Sequence, residues 1–207
     1  TSTPVETTSQ LKTAHADIRQ TVAIEALEVE GGWLPLARRI SSPNFDQRPA
    51  GAEVELVVIH AISLPPNEFG GGYVERLFTN QLDYSLHPYF ATLEGVRVSA
   101  HFYIERGGDL LQFVATQDRA WHAGVSQWCG RRACNDFSLG IELEGCDEMP
   151  FSEHQYKTLQ TLIDELRRRM PTLTRDRFVG HSDIAPRRKT DPGPCFEWSR
   201  IDAAFRP

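Results

Sequence analysis

Hydrophobic and polar positions alternate with readable periods along most of this chain. Leu56-Val57-Val58-Ile59 is an unbroken aliphatic run, mostly β-branched, which predicts a strand buried on both faces. It ends in His60, where a Pro- and Gly-rich loop begins. Ser99–Glu105 and Leu110–Val114 flank Arg106-Gly107-Gly108-Asp109, the pattern of two strands joined by a glycine-containing turn. From Ser138 to Glu144 the period is two: Leu139, Ile141 and Leu143 share one face, and Ser138, Gly140, Glu142 and Glu144 share a polar one. Ser152 with Gln155 three residues later reads as a capping box, and Tyr156, Leu159, Leu162, Ile163, Leu166 and Met170 recur at helical spacing. A helix over 153–170 follows, stopped by Pro171. Arg177-Phe178-Val179-Gly180 then carries a short strand to His181.

Between these elements the pattern weakens. Ser63 to Val96 is a long mixed excursion with one short helix expected around Tyr73–Leu82, and excursions of that length in a small domain usually cover or line a site. Ser41 to Arg48 reads as a loop, with the domain opening just before it near Gly32, Trp33 and Leu34. Residues 1–31 are polar, with a weak helical pattern in Ile18, Val22, Ala23, Ala26 and Leu27, and read as an accessory extension.

Composition narrows the functional classes. A length of 207 residues suffices for one domain with a full core, and 40% apolar with 24% charged residues is ordinary for a globular protein. A formal charge of −6 opposes general nucleic-acid binding, which needs an excess of lysine and arginine on one face. Arg167, Arg168 and Arg169 fall on the expected helix as a solvated face. No apolar stretch approaches the roughly 20 residues of a membrane-spanning helix, so neither membrane nor nucleic acid is expected as a partner, and no obligatory protein partner is evident. The four cysteines, at 129, 134, 146 and 195, are too few for a disulfide scaffold. Free thiols are expected, with a Cys129–Cys134 bridge the alternative in an oxidising compartment.

The helix-borne zinc motif, the serine nucleophile elbow and the glycine-rich phosphate loops are all absent, so any site must be assembled from separated loops. Of the seven histidines (His15, His60, His87, His101, His122, His154 and His181), His60 and His181 end aliphatic strands. Asp191 lies in a rigid Asp-Pro-Gly-Pro turn ten residues after His181. Two imidazoles and a carboxylate would leave a zinc ion an open fourth position, the arrangement of a catalytic site. Spacing alone does not show that the two strands are neighbours.

Several stretches together resemble the AmpD-type N-acetylmuramoyl-L-alanine amidases, a family that includes peptidoglycan recognition proteins and T7 lysozyme. They are Val58-Ile59-His60, His87-Pro88-Tyr89-Phe90, Val98-Ser99-Ala100-His101, Arg119-Ala120-Trp121-His122-Ala123-Gly124-Val125-Ser126, Cys134-Asn135-Asp136-Phe137-Ser138, Gly140-Ile141-Glu142-Leu143-Glu144-Gly145, and Gly180-His181 with Lys189-Thr190-Asp191-Pro192-Gly193. The resemblance covers roughly 33–205. It implies one Zn2+ held by His60, His181 and Asp191, with Glu142 as the acid/base carboxylate and Lys189 as a cationic partner. It also implies Trp121, His122 and Asn135 as cleft-wall residues that bind substrate. Arg97 is a further candidate, through bidentate contact with a peptide carboxylate, and Arg131 or Arg132 could assist. Ala61 stands where relatives of this type more often carry asparagine.

The expected fold is a single α/β domain over 32–207, a mixed central β-sheet flanked by helices and carrying the ligands at strand ends. The expected reaction is hydrolysis of the amide between the lactyl group of (1,6-anhydro-)N-acetylmuramic acid and L-alanine in muropeptides, as in cytoplasmic recycling of bacterial cell wall. The alternatives are a muropeptide-binding module without catalysis and an envelope amidase acting on intact peptidoglycan.

Overall fold

A six-stranded mixed sheet organises the computed structural model, which describes residues 31–207. The expected accessory extension, with its helical pattern at Ile18 to Leu27 and His15, lies outside the described residues. In chain order the strands are β1 (Arg38–Arg39), β2 (Phe45–Gln47), β3 (Leu56–Ile62), β4 (Phe102–Ile104), β5 (Leu110–Gln112), β6 (Asp118–Ala120), β7 (Gln127–Trp128), β8 (Arg131–Arg132), β9 (Ser138–Glu144) and β10 (Phe178–Gly180). The main sheet runs β1-β5-β4-β9-β3-β10. Only β4 and β5 pair antiparallel within it, as the expected hairpin; β4, β9, β3 and β10 are mutually parallel. The helices are α1 (Tyr73–Phe78), α2 (Pro88–Ala91), α3 (Glu153–Arg169), α4 (His181–Ile184) and α5 (Ser199–Ala203).

The patterns of the sequence translate directly into packing. β3 is buried from Leu56 to His60, as expected of a strand covered on both faces. Leu139, Ile141 and Leu143 of β9 join Tyr156, Leu159, Leu162, Ile163 and Leu166 of α3 in one core cluster. Each such aliphatic side chain removed from water contributes about 1.5–3 kcal/mol. Ser152 caps α3 with both bonds of the capping box, its Oγ accepting from Gln155 N at 3.1 Å and the Gln155 Oε1 accepting from Ser152 N at 3.0 Å.

Two local expectations are corrected. The first helix stops at Phe78 and does not reach Leu82; Thr79 caps it, and a second short helix, α2, begins at Pro88 under the His87 side-chain cap. The segment read as a loop at Ser41–Arg48 contains β2, which pairs antiparallel with β6. Their register is reinforced by Arg119, which donates to Asp46 Oδ1 and Oδ2 at 2.7 and 2.8 Å. All seven residues of β9 are buried, the loops after β3 and β6 closing over its polar face. All four cysteines are free thiols. No described helix is long and apolar enough to cross a membrane.

Candidate active site

Parallel strands bring their carboxyl ends to one edge of a sheet, and the crevice there is the usual place for a ligand in α/β folds. In this sheet the register is decisive. His60 on β3 lies directly beside Glu142 on β9, and Gly180 on β10 beside Ile59, so His181 emerges next to His60. The Asp191 loop returns to the same point because Ser182 N donates to Asp191 O at 3.0 Å. His60 Nδ1 then stands 3.0 Å from His181 Nδ1 and 3.1 Å from Asp191 Oδ2, while His181 Nδ1 is 3.2 Å from that same oxygen. One ligand atom from each of the three residues falls within 4.8 Å of the others.

The donor set suits a divalent cation. Both histidines are buried, and the nitrogens that do not face the cluster are held elsewhere. His181 Nε2 donates to Ala123 O at 2.9 Å, which leaves Nδ1 as a lone pair aimed at the cluster. Burial and the neighbouring His181 keep His60 neutral, its pKa lowered to about 4. Burial would raise Asp191, but its close contacts with His181 and His60 outweigh it and hold the carboxyl below its ordinary range. A neutral His60 and an ionised Asp191 are the protonation states a bound metal requires.

Glu142 behaves in the opposite way. Its Oε1 is 3.9 Å from His60 Nδ1, and its Oε2 is buried with no hydrogen-bond partner among the described residues. Burial first, then the negative charge of Asp191, push its pKa well up, against a smaller opposing pull from Lys189. A carboxyl perturbed this way and facing a cleft is a candidate for proton transfer.

These groups open into a cleft of about 570 Å³ lined by His60, Glu142, His181, Lys189 and Asp191 on its floor. Trp121 and His122 also line it, together with Leu64, Asn67, Tyr89 and Val98 from the long excursion and its end. Ala61 also reaches the cleft, without a polar group to offer. The sequence-based candidates His60, His181, Asp191, Glu142, Lys189, Trp121 and His122 are therefore brought together.

Asn135 and Arg97 are not. Asn135 Oδ1 accepts from His122 N at 3.2 Å and Ala123 N at 2.8 Å, which places it behind the wall as a brace for the Trp121–Ala123 segment. Arg97 is exposed and donates to the carbonyl of its own neighbour Val96 at 3.2 Å, outside the lining. Arg131 pairs with Glu55 and lies over the Phe137 ring. Glu144, on the same strand face as Glu142, points to the loops, where Gly70 N donates to it at 2.5 Å and Arg106 N at 3.2 Å.

Sequence reasoning missed Arg48, which supports the site from beneath. Its guanidinium donates to the carbonyls of Asn135, Thr116 and Ser138 at 3.0, 3.1 and 2.9 Å, tying three loops to the start of β9. Its partners are backbone oxygens far away in sequence, so no local pattern announces it. Gly140 is a second support that a pattern search passes over. A Cβ there would stand 2.5 Å from the His122 ring, which lies directly on the strand. Gly140→Ala is expected to displace that ring, cost about 1–3 kcal/mol in urea unfolding and lower activity, whereas Gly107→Ala, with open space at its Cβ, should do neither.

The comparisons with known proteins agree with this geometry. A family model described as N-acetylmuramoyl-L-alanine amidase matches residues 50–194. The chain is 53% identical over 173 residues to the 1,6-anhydro-N-acetylmuramyl-L-alanine amidase AmpD of Haemophilus influenzae, covering 84% of this chain and 94% of that one. It is 50% identical over 173 residues to the Escherichia coli AmpD, with the same coverage. Among solved structures, a selenomethionine AmpD derivative superposes with a TM-score of 0.81 at 49% identity, covering 84% of this chain and 97% of that one. AmpDh3 from Pseudomonas aeruginosa, in complex with an anhydromuramic pentapeptide, gives 0.56 at 30% identity, covering 76% and 62%. With the matched region spanning every residue of the cleft floor, the chain belongs to the AmpD-type N-acetylmuramoyl-L-alanine amidase family.

Proposed function

We propose that the chain hydrolyses the amide bond between the lactyl group of 1,6-anhydro-N-acetylmuramic acid and L-alanine, with zinc held by His60, His181 and Asp191. The observation that carries this reading is the convergence of those three ligand atoms beside Glu142, on the floor of a cleft large enough for a sugar and the first residues of a peptide. Zinc bound there would polarise the amide carbonyl and acidify a water molecule. Nitrogen and oxygen ligands in a set of three favour zinc among the available divalent metals.

The remaining chemistry belongs to the chain. Glu142 takes a proton from the attacking water, and its unpartnered Oε2 has no competing bond to break first. It then delivers that proton to the departing amine nitrogen, so the water oxygen ends on the carbonyl carbon and the peptide leaves with a free amino terminus. The raised pKa of Glu142 makes it a stronger base than an ordinary carboxylate. Lys189, in the lining of the cleft, offsets the negative charge that develops on the carbonyl oxygen. Trp121 is held by its Nε1 donating to Asp46 at 3.3 Å, which leaves the indole free to pack on the sugar; Tyr89, partly exposed across the cleft, offers a second aromatic surface. Ala61, in place of a polar side chain, gives the substrate one hydrogen bond fewer at this wall.

The names of the relatives, and a matched structure with an anhydromuramic pentapeptide, support 1,6-anhydro-muramyl peptides as substrate; recycling in the bacterial cytoplasm is the setting this reading implies. The test is hydrolysis of a purified anhydro-muramyl tripeptide followed by mass spectrometry, with intact peptidoglycan in parallel. Free tripeptide from the soluble substrate is the expected result. Release only from intact peptidoglycan would move the enzyme to the envelope, and binding without release from either would make it a recognition module.

A further inference from the structure

His122 lines the cleft, yet both its ring nitrogens already have partners inside the protein. Nδ1 is 2.8 Å from His60 Nε2, and Nε2 is 3.1 Å from the Oγ of Ser138, a residue with no solvent exposure. The ring sits edge-on to His60, with centroids 5.0 Å apart, and rests on Gly140, where no side chain intervenes. We propose that Ser138, His122 and His60 form a hydrogen-bond relay whose direction reverses when the metal enters, and that His122 is a positioning residue for the ligand His60 and not a hydrogen-bonding partner of the substrate.

The argument follows from which groups can only accept. Ala123 O accepts from His181 Nε2, so His181 Nδ1 is a fixed lone pair, and Asp191 Oδ2 is another. In the metal-free protein His60 faces two acceptors through Nδ1, at 3.0 and 3.1 Å, and its proton belongs there. His60 Nε2 is then a lone pair and needs a donor, which His122 Nδ1 supplies; His122 Nε2 becomes a lone pair, and the Ser138 hydroxyl donates to it. With a metal on His60 Nδ1, every bond must run the other way. His60 Nε2 donates to His122 Nδ1, and His122 Nε2 donates to Ser138 Oγ. Each imidazole keeps one proton throughout, so no proton is gained or lost along the relay.

A serine hydroxyl is the terminus this device needs, because it both donates and accepts and rotates between the two. A backbone carbonyl or amide at that position would lock one direction and disfavour either the loaded or the empty state. The relay thus gives both ring nitrogens of the buried His60 a partner in either state, and once loaded it fixes the tautomer and the ring orientation of His60.

The inference rests on the metal-centre reading above, and its test separates the two. Long-range proton–nitrogen NMR on the full chain, with and without one equivalent of zinc, reports the tautomer of each histidine. His122 is expected to carry its proton on Nδ1 without zinc and on Nε2 with it, while His181 stays protonated on Nε2 in both. Zinc affinity by chelator competition gives a second readout. His122→Phe keeps the ring and removes both nitrogens, and should weaken binding roughly 10- to 100-fold. His122→Asn, whose Oδ1 can still accept from His60 Nε2, should recover much of that loss, and Ser138→Ala should fall between. An unchanged His122 tautomer in a zinc-loaded wild type, or a His122→Phe variant that binds zinc as tightly as wild type, would overturn the relay and leave the metal centre standing. Failure of the wild type to take up zinc would overturn the metal centre, and the relay with it.

Discussion

Asp191→Ala is expected to lower hydrolysis of the anhydro-muramyl tripeptide by at least about 10³-fold, because a metal centre supplies several kcal/mol of transition-state stabilisation and each 1.36 kcal/mol is tenfold in rate. The side chain contributes the only carboxylate in the three-residue cluster and holds His60 and His181 through Oδ2. Its removal leaves two neutral imidazoles, which bind a divalent cation far more weakly. Wild type treated with a chelator should match the variant, and added zinc should restore wild type but not Asp191→Ala. Metal content measured beside rate makes the prediction strict. A variant that retained one equivalent of zinc and most of its activity would remove Asp191 from the ligand set. The fold should survive, since Asp191 takes part in the local backbone through its carbonyl, which accepts from Ser182 N.

Glu142→Gln separates the chemistry from the metal. The amide keeps the shape but cannot take a proton from water, so kcat should fall about 10²–10⁴-fold while zinc content stays at one equivalent. Stability should change in the opposite direction. Glu142 has its folded pKa raised above the ordinary value of 4.5, chiefly by burial, so the folded state holds the proton more tightly than the unfolded chain. Below about pH 4.5 both states are protonated and nothing is lost. As pH rises past that value the unfolded chain ionises first, and the wild type loses stability until the folded pKa is passed. Metal-free Glu142→Gln should therefore be more stable than metal-free wild type at pH 7 by about 1–2 kcal/mol, with the difference vanishing in acid. For a chain of this size that is a shift of roughly 2–8 °C in Tm. Equal melting temperatures at pH 7 would show that the burial of Glu142 carries no cost. Activity should also decline as pH falls through the folded pKa of Glu142, because the base must be ionised to act.

These two carboxylates show how the site divides between sequence and structure. His60, His181 and Asp191 could be named from the chain because they stand where aliphatic strands or a rigid turn lead, and Glu142 and Lys189 because the motifs around them resemble a known family. The strands themselves were legible for the same reason. Four consecutive aliphatic residues at Leu56–Ile59 and a period of two from Ser138 to Glu144 have few other ways to bury their apolar atoms. The capping box and the apolar stripe of α3 are local signals of the same kind.

Tertiary structure decided what lies beyond the reach of neighbours in sequence. The parallel register of β3 against β9 sets His60 beside Glu142, and no residue in either strand encodes that pairing alone. Glu142 and Glu144 are equivalent in the pattern, yet one faces the cleft and the other is taken up by Gly70 and Arg106, because different loops pass over the two ends of the face. Asn135 and His122 have partners inside the protein that the sequence does not announce: a pair of backbone amides for one, His60 and Ser138 for the other. Arg48 gave no signal because it satisfies carbonyls more than 60 residues away. Period and composition report which atoms must leave water, and so determine the elements. Hydrogen bonds between distant segments depend on direction and distance, which only the folded chain defines, and they decided which of its polar residues became the site.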